Sequence, residues 1–378
     1  MVSERVRDIL ADQPVWDGHN DLAWAAREQV AYDWDRLDIS GSTRGRTQTD
    51  IPRLRAGGVG AQYWSVYVPS TLPGAEAVVA TLEQIDAVHR MVARNTDQLQ
   101  LAVSVADVEE AWAHGRIASL LGAEGGHSID GSLGVLRMFS ALGVSYMTLT
   151  HNDNTSWADS ATDLPSEHGG LNGFGREVVR EMNSLGMLVD LSHVADGTMH
   201  AALEVSQAPV IFSHSSARAV CDVPRNVPDD VLVRLADNGG VCMVTFVPHF
   251  VTPEVAQWKA AAEDVAEAEG VRVNDYPTFS AFLARWRQEN PAPPSRLTDV
   301  VEHVEHVREV AGVEHVGLGG DYDGADGFAP ELADVSGYPA LLEALAERGW
   351  SDADLGQLTS RNMLRVMRDA ESVSNRLH

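Results

Sequence analysis

Histidine and carboxylate side chains recur at the ends of short apolar runs along this chain. The segment VWDGHND carries a histidine and an aspartate, and LLGAEGG, LTHND, VDLSH, VIFSH and GLGGDYDG continue the pattern. The residues at these ends are His19, Asp21, Glu124, His151, His193, His214 and Asp321. Imidazole and carboxylate groups are the usual protein ligands of zinc and similar divalent ions. Their repeated placement predicts a metal centre.

A single histidine after a strand is more often a hydrogen-bonded structural residue, so the repetition is what supports the metal site. His303 and His306 in VVEHVEHVREV also resemble a metal pair on a helix. They lie opposite the valine stripe of that helix, and we expect both on a solvated face. His127 is near enough to Glu124 in sequence to support it from behind. The DYDGADG segment fails as a calcium loop because Ala325 stands where that loop needs a ligand.

Eight short apolar and β-branched runs, each typical of a strand, alternate with segments of helical periodicity. The runs are 14–21, 60–68, 117–124, 144–151, 188–193, 209–214, 240–246 and 315–321. Continuous apolar runs such as VCMVTF are expected where helices cover both faces of a sheet. Eight alternations favour a distorted (β/α)8 barrel of the TIM type, in which active sites lie at the carboxyl ends of the strands. A doubly wound open sheet is the alternative, but no glycine-rich phosphate turn follows the first run.

Helical periodicity is clearest over residues 75–95, 178–185 and 297–310. Two other segments exceed ordinary connection lengths: 22–52, and the acidic, alanine-rich 248–295, which closes with PAPPS. There is no internal repeat or low-complexity linker. We therefore expect residues 1–378 to form a single barrel domain that carries a long insertion near 248–295.

The composition excludes several classes of protein. The chain has 378 residues, with 55 acidic and 28 basic side chains and a formal net charge of −27. Phosphate backbones repel so negative a surface, so we expect no nucleic-acid partner. Neither a signal peptide nor an apolar run of membrane-spanning length is visible. Cys221 and Cys242 do not make a disulfide framework and are expected as small buried residues, so we expect a cytoplasmic protein without a membrane partner.

Arg225 and Asn226 stand between two prolines, Pro224 and Pro228, in the segment that follows His214. The prolines stiffen this loop and hold the arginine near the metal mouth. One interpretation is that the arginine recognises a substrate carboxylate. The alternative, an ion pair with one of the two aspartates that follow at 229 and 230, is equally compatible with the spacing.

With these motifs the chain resembles the membrane dipeptidase (renal dipeptidase) family of zinc peptidases, within the amidohydrolase-like metal barrels. The matching stretches are DGHNDL, LLGAEGGHSI, LTHND, VDLSHV, FSHSSARAV with RNVPDD, GLGGDYDG and TSRNMLRVM. They extend from residue 17 to residue 367, nearly the whole chain. The resemblance implies two zinc ions, one held by His19 and Asp21 and the other by His193 and His214, with Glu124 bridging both.

The same resemblance implies roles for the remaining residues. His151 would contact the substrate carbonyl, and Arg225, with Asn226 beside it, would bind the substrate's C-terminal carboxylate. Asp321 would take a proton from the nucleophilic water and pass it to the leaving amine. The implied reaction is hydrolysis of dipeptides, including L-D dipeptides, by a hydroxide that the two zinc ions activate.

Two other functions stay open at this point. One is another amidohydrolase-type reaction on N-acyl amino acids, cyclic amides or lactones, and the other is a metal-binding barrel that has lost catalysis. Vertebrate members of the family are secreted, disulfide-linked and lipid-anchored, and this sequence lacks those features. We therefore expect a bacterial, cytoplasmic relative, and the resemblance implies a homodimer.

Overall fold

Parallel strands form a closed barrel in the computed structural model, which describes residues 2–378. In chain order the strands are β1 (Val15–Asn20), β2 (Val59–Ser65), β3 (Leu99–Leu101), β4 (Ile117–Ala123), β5 (Val144–Thr148), β6 (Leu188–Asp190), β7 (Ile211–Phe212), β8 (Val241–Val244) and β9 (Val316–Leu318). Eight of them are hydrogen-bonded in the order β2-β1-β9-β8-β7-β6-β5-β4, and pairing between β2 and β4 closes the ring. The predicted (β/α)8 barrel is confirmed.

The short strand β3 lies outside this ring and was not predicted. Its three residues pair with Ile117–Ser119 at the start of β4, whereas β5 pairs with the end of β4, from Leu121 onward. Leu101 is 36% exposed. So short and partly exposed a strand leaves no apolar run in the sequence from which it could be recognised.

The barrel strands are shorter than the apolar runs that predict them, mainly at their carboxyl ends. The run 209–214 contains only the two-residue strand Ile211–Phe212. Directly after it, Ser213 donates its backbone N–H to the carboxylate of Asp190 at 2.8 Å instead of to a neighbouring strand. These loop residues remain buried, so apolar sequence continues past the end of the strand. Most candidate metal ligands therefore lie in the first residues of loops.

Helices surround the barrel. Within the described residues they are α1 (Glu4–Asp12), α2 (Leu22–Val30), α3 (Ile51–Ala56), α4 (Gly74–Arg94), α5 (Val105–Ala113), α6 (Leu133–Ala141), α7 (Gly173–Leu185), α8 (Asp196–Val205), α9 (Asp229–Asn238), α10 (Pro248–Val251), α11 (Pro253–Ala268), α12 (Tyr276–Glu289), α13 (Leu297–Ala311), α14 (Tyr338–Glu347), α15 (Asp352–Gly356) and α16 (Asn362–Leu377). The helices predicted from periodicity are confirmed as α4, α7 and α13. Over residues 2–378 no helix is both long enough and apolar enough to cross a bilayer.

The barrel interior is a packed core, as expected for this fold. Trp16, Tyr63 and Tyr146 are fully buried there, and their ring centroids are 6.0 Å apart for the first pair and 4.7 Å for the second. Apolar residues of α16 join the same cluster. A larger cluster packs between the strands and the outer helices. Cys221 and Cys242 are buried free thiols, as predicted.

Residues 248–295 contain α10, α11 and α12 and the turns between them. Phe279 and Phe282 belong to a small apolar cluster that α11 and α12 share. Arg287 of α12 donates two hydrogen bonds, of 2.6 and 2.7 Å, to the carboxylate of Asp326 in the loop after β9. The insertion thus contacts a loop at the mouth of the barrel.

His303 on α13 is fully buried, and the expectation that it lies on a solvated face is wrong. Its Nδ1 accepts the N–H of Ala217 at 3.0 Å, and its Nε2 donates to the carbonyl of Val251 at 3.1 Å. The loop after β7 and helix α10 therefore pack where the sequence pattern predicts solvent. His306 is partly exposed, and its Nε2 is 2.8 Å from the carboxylate of Asp229.

Candidate metal centre

The predicted metal-centre residues meet at the mouth formed by the carboxyl ends of the strands. His19 lies on β1, Asp21 is the N-cap of α2, and Glu124 directly follows β4. His214 lies two residues past the end of β7. His151, His193 and Asp321 lie three residues past the ends of β5, β6 and β9, respectively. Their potential ligand atoms form three overlapping groups, each within 4.8 Å: His19–Glu124–His214, Glu124–His151–His193 and His19–Asp21–Asp321. The structure thus brings all seven together.

Glu124 occupies the centre of this arrangement, with imidazole groups on both of its oxygens. Its Oε2 is 3.4 Å from Nε2 of His19. Its Oε1 is 3.1 Å from Nε2 of His193 and 3.4 Å from Nε2 of His214. Asp21 adds a carboxylate oxygen 3.3 Å from Nε2 of His19. One carboxylate therefore faces two separate sets of ligand atoms.

Hydrogen bonds behind two of the histidines set their tautomers. Nδ1 of His19 is 2.8 Å from the hydroxyl of Tyr146, which itself donates to the carbonyl of Gly18. Nδ1 of His214 is 2.8 Å from the hydroxyl of Ser213, which donates to Asp190. Because each hydroxyl hydrogen is already used, the hydroxyl oxygen accepts from the imidazole. Both Nδ1 atoms therefore carry a proton, and Nε2 is the ring nitrogen that each histidine presents to the centre.

The donor set fits divalent cations. Nε2 of His193 and Nε2 of His214 are only 3.0 Å apart, and burial lowers the pKa of both imidazoles well below the usual value. Two neutral imidazoles placed this way direct ligand atoms at one point. Oδ1 of Asp21 is buried without a hydrogen-bond partner. Unpaired buried acceptors are costly unless a cation satisfies them, so the site is built for positive charge.

Carboxylate charges dominate the rest of the centre. Burial raises the pKa of Glu124, and repulsion from Asp21 adds to this. Burial also raises the pKa of Asp321 well above its usual range, against the attraction of His19. His19 is the reverse case, since burial opposes its protonation but Tyr146, Glu124 and Asp21 together raise its pKa well above the ordinary value. The buried carboxylates attract either protons or metal ions.

Gly324 allows the Asp21 and Asp321 carboxylates to lie side by side. A Cβ at this position would be 2.2 Å from Oδ2 of Asp21 and 2.4 Å from Oδ1 of Asp321. Asp321 itself has a left-handed backbone with φ of 62°, and its N–H donates to the carbonyl of His19 at 3.2 Å. The DYDG segment therefore places one carboxylate against the ligands of β1 and leaves no space for a further side chain.

His151 borders the centre without a hydrogen bond at its Nδ1. Its Nε2 is 3.7 Å from Oε1 of Glu124, and its ring centroid is 4.9 Å from that of Tyr67. Burial lowers the pKa of His151 well below the ordinary value, so the imidazole is neutral. His127, expected behind Glu124, instead has its Nε2 3.1 Å from the carbonyl of Val68.

Arg225 is a buried cation beside these ligands, with only 3% of its surface exposed. Its Nη1 donates to the hydroxyl of Ser215 at 3.2 Å, and its Nη2 donates to the carbonyl of His214 at 3.3 Å. The guanidinium lies 5.0 Å from the ring centroid of Phe250. Burial lowers the pKa of Arg225 to about 10, against the attraction of Asp321, and the group stays charged at neutral pH.

Among residues 2–378 no carboxylate forms a salt bridge with Arg225. The predicted alternative, an ion pair with Asp229 or Asp230, is wrong, because these aspartates lie beside His306 and His200. Nε of Arg225 is buried without a hydrogen-bond partner. A buried cation that lacks a counter-ion is suited to binding an anionic group of a ligand.

The sequence and its relatives place the chain in a known family. The model of the family described as "Membrane dipeptidase (Peptidase family M19)" matches residues 3–378. Dipeptidase 3 of Mus musculus is 41% identical over 374 residues, which cover 98% of this chain and 67% of that protein. An uncharacterized dipeptidase of Schizosaccharomyces pombe is 42% identical over 383 residues, covering 98% of this chain and 84% of that protein. The chain belongs to the membrane dipeptidase family.

Solved structures agree with this membership at the level of the fold. A probable dipeptidase of Pseudomonas aeruginosa superposes with a TM-score of 0.85 at 21% identity, over 97% of this chain and 98% of that one. A metallopeptidase of Rhodobacter sphaeroides superposes with a TM-score of 0.78 at 22% identity, over 95% of this chain and 99% of that one. The prediction of a metal-dependent dipeptidase of the membrane dipeptidase family is confirmed.

Several residues of this membrane dipeptidase centre were not recognised from the sequence. Tyr146 and Ser213 hold two of the histidines, and Ser65 donates to Oε2 of Glu124 at 3.2 Å. Asp190 accepts from Ser213, and only this residue left a signal, namely a carboxylate inside the apolar run of VDLSH. An ionisable side chain in a buried strand usually has a fixed partner, which would have marked it as part of the site.

Proposed function

We propose that this chain hydrolyses the peptide bond of free dipeptides with two zinc ions bridged by Glu124. The observation that carries the proposal is one carboxylate with imidazole Nε2 atoms on both oxygens, next to the buried and unpaired Arg225. The first feature is suited to two metal ions, and the second to the carboxylate of a short substrate. Hydrolysis of cyclic amides or lactones does not require such an arginine, whereas an N-acyl amino acid, like a dipeptide, has a carboxylate for it to bind.

The residues present fit two ions. His19 and Asp21 would hold one on the Oε2 side of Glu124, and His193 and His214 would hold the other on the Oε1 side. Two divalent ions supply a water of lowered pKa and stabilise negative charge on the carbonyl oxygen. The hydrogen bonds at the Nδ1 atoms of two of these histidines keep the ligand lone pairs directed into the site.

The other polar groups bind the substrate and move its protons. The neutral imidazole of His151 donates a hydrogen bond to the carbonyl oxygen of the scissile bond as that oxygen gains negative charge. The carboxylate of Asp321 accepts a proton from the attacking water and donates it to the nitrogen of the leaving amine. Arg225 binds the C-terminal carboxylate, which places the scissile bond one residue away and limits the leaving group to a single amino acid.

The stereochemistry of the substrate is part of this proposal. The Rhodobacter sphaeroides metallopeptidase was crystallised with a phosphinate mimic of the dipeptide L-Ala-D-Ala. We propose that this chain likewise accepts dipeptides with a D-residue at the C-terminal position. The bacterial source, the cytoplasmic location and the homodimer stay predictions from the sequence.

Two measurements on zinc-loaded protein test the function. Elemental analysis should give about two zinc ions per chain, and a reproducible value near one would refute the bridging role of Glu124. Replacing L-Ala-L-Ala by its C-terminal amide should lower kcat/KM by about 100-fold, as expected when a buried charged group loses its partner. Equal cleavage of the amide would refute the role of Arg225, and faster cleavage of N-acetyl-alanine would favour the N-acyl amino acid alternative.

A further inference from the structure

Asn226 is fully buried, and its amide joins two parts of the structure. Its Nδ2 donates to the carbonyl of Cys221 at 2.8 Å and to the carbonyl of Phe250 at 2.7 Å. Its Oδ1 accepts the N–H of Ser216 at 3.2 Å. Both amide hydrogens are therefore used, and Asn226 has no N–H left for the substrate contact that the sequence predicts.

His303 makes a second link between the same two segments. Its partners, Ala217 and Val251, each directly follow a partner of Asn226 in the sequence. It accepts from the N–H of Ala217 and donates to the carbonyl of Val251, at 3.0 and 3.1 Å. These opposite partners require the tautomer with hydrogen on Nε2 only. Burial lowers the pKa of His303 to about 4, which keeps the imidazole in this neutral form.

The two links connect the segments that support Arg225. One is the loop after β7, where Ser215 and His214 accept from the guanidinium, and the other is α10, where Phe250 lies beneath it. Asn226 ties residue 216 to residue 250, and His303 ties residue 217 to residue 251. Every direct support of Arg225 is thus within two residues of a link.

We propose that Asn226 and His303 are positioning residues, which fix the loop after β7 against α10 and thereby orient Arg225 for the substrate carboxylate. The proposal rests on the proposed function of Arg225. It explains how the supports of this arginine are held in place without a carboxylate paired to it, because hydrogen bonds of the Asn226 and His303 side chains join them. It also gives a role to a histidine that the metal centre does not use.

Four variants test the proposal. Asn226→Leu and His303→Leu remove a whole link, whereas His303→Asn retains an acceptor near Nδ1 and His303→Gln retains a donor near Nε2. For the zinc-loaded enzymes, KM for L-Ala-L-Ala should rise about tenfold while kcat stays within about twofold, because only the carboxylate contact is displaced. His303→Asn and His303→Gln, which each retain one of the two hydrogen bonds, should show smaller increases in KM for L-Ala-L-Ala. KM for the C-terminal amide should not change in any of the four variants.

Asn362→Leu is the matched control. Asn362 is also buried, and its Nδ2 donates to the carbonyls of Val313 and Val316 at 2.7 and 2.8 Å, at the opposite end of β9 from Asp321. This variant loses two buried hydrogen bonds, as many as His303→Leu loses, without touching the loop after β7 or α10. Its preference for the dipeptide over the amide should equal that of wild type.

The outcomes separate this proposal from the function on which it rests. Loss of the preference in the Asn226 and His303 variants alone supports it. An unchanged preference in folded Asn226→Leu, His303→Asn and His303→Gln overturns it, and so does an equal loss in Asn362→Leu, which would indicate general destabilisation. If wild type itself cleaves the amide as well as the dipeptide, the role of Arg225 fails first and the proposal fails with it.

Discussion

Ser213 links a candidate metal ligand to a buried carboxylate, and its replacement should weaken zinc binding on the His214 side. The hydroxyl is 2.8 Å from Nδ1 of His214 and donates to Oδ2 of Asp190 at 2.7 Å. Asp190 also accepts from the backbone N–H groups of Ser192 and Ser213, at 3.1 and 2.8 Å. Its orientation is therefore fixed, and Ser213→Ala removes the hydroxyl that accepts from Nδ1 of the His214 imidazole.

The magnitude follows from the two ways in which the imidazole can respond. If it keeps its proton on Nδ1, a buried N–H loses its partner at a cost of roughly 1–3 kcal/mol. If it shifts the proton to Nε2, the lone pair that faces Glu124 disappears and zinc must displace the proton. Loss of such a supporting hydrogen bond typically weakens metal affinity about 10–100-fold, which corresponds to about 1.4–2.7 kcal/mol. We expect the dissociation constant of the zinc ion on the His214 side to rise by this factor.

The assay is zinc titration of chelator-treated protein in competition with a fluorescent chelator, which needs no turnover. Ser216→Ala is the control, because the Ser216 hydroxyl is equally buried but donates to the carbonyl of Thr245 at 3.3 Å. Unchanged zinc affinity in Ser213→Ala would refute the reasoning, and so would an equal loss in Ser216→Ala.

Three other predictions concern catalysis, packing and pH. Asp321→Asn should keep about two zinc ions by elemental analysis but lose at least about 100-fold in kcat, the usual share of general acid–base catalysis, and an active variant would exclude Asp321. Gly324→Ala places a methyl group 2.2 Å from Oδ2 of Asp21. It should therefore weaken zinc binding in the same titration, whereas Gly41→Ala, which meets nothing within 4 Å, should not. Burial lowers the pKa of His303 from 6.5 to about 4, so stability present above pH 6.5 is lost as the pH falls toward 4. The difference in unfolding free energy between wild type and His303→Gln should shrink by about 2 kcal/mol from pH 7 to pH 5 in urea titrations, and a constant difference would contradict the neutral state of His303.

The sequence was sufficient for the barrel and for the ligand candidates because both leave local signals. Each strand of the closed barrel overlaps an apolar run, and the candidate ligands lie at or near the ends of such runs. The exact strand ends were not predictable, because loop residues such as Ser213 are as buried as the strand before them. Strand β7 ends where the backbone N–H of Ser213 donates to the side chain of Asp190, and this partner is 23 positions earlier in the chain.

The errors arose where packing decides the outcome. The pattern of α13 predicts one apolar face, but His303 is buried by the loop after β7 and by α10, neither of which is adjacent in sequence. Spacing also made an ion pair of Arg225 with a nearby aspartate plausible. In the structure Asp229 lies beside His306 and Asp230 beside His200 instead. Tertiary contacts of this kind leave no periodic signal.

The net charge of −27 also bears on which substrate the centre selects. A free dipeptide at neutral pH carries one ammonium and one carboxylate, so the negative field of the protein neither attracts nor repels it as a whole. An N-acyl amino acid has lost the ammonium and enters as an anion against that field. Arg225 offers both molecules the same local attraction for a carboxylate, so it does not distinguish them. The surrounding negative charge does, and it favours the zwitterion, which is the substrate that the proposed dipeptidase requires.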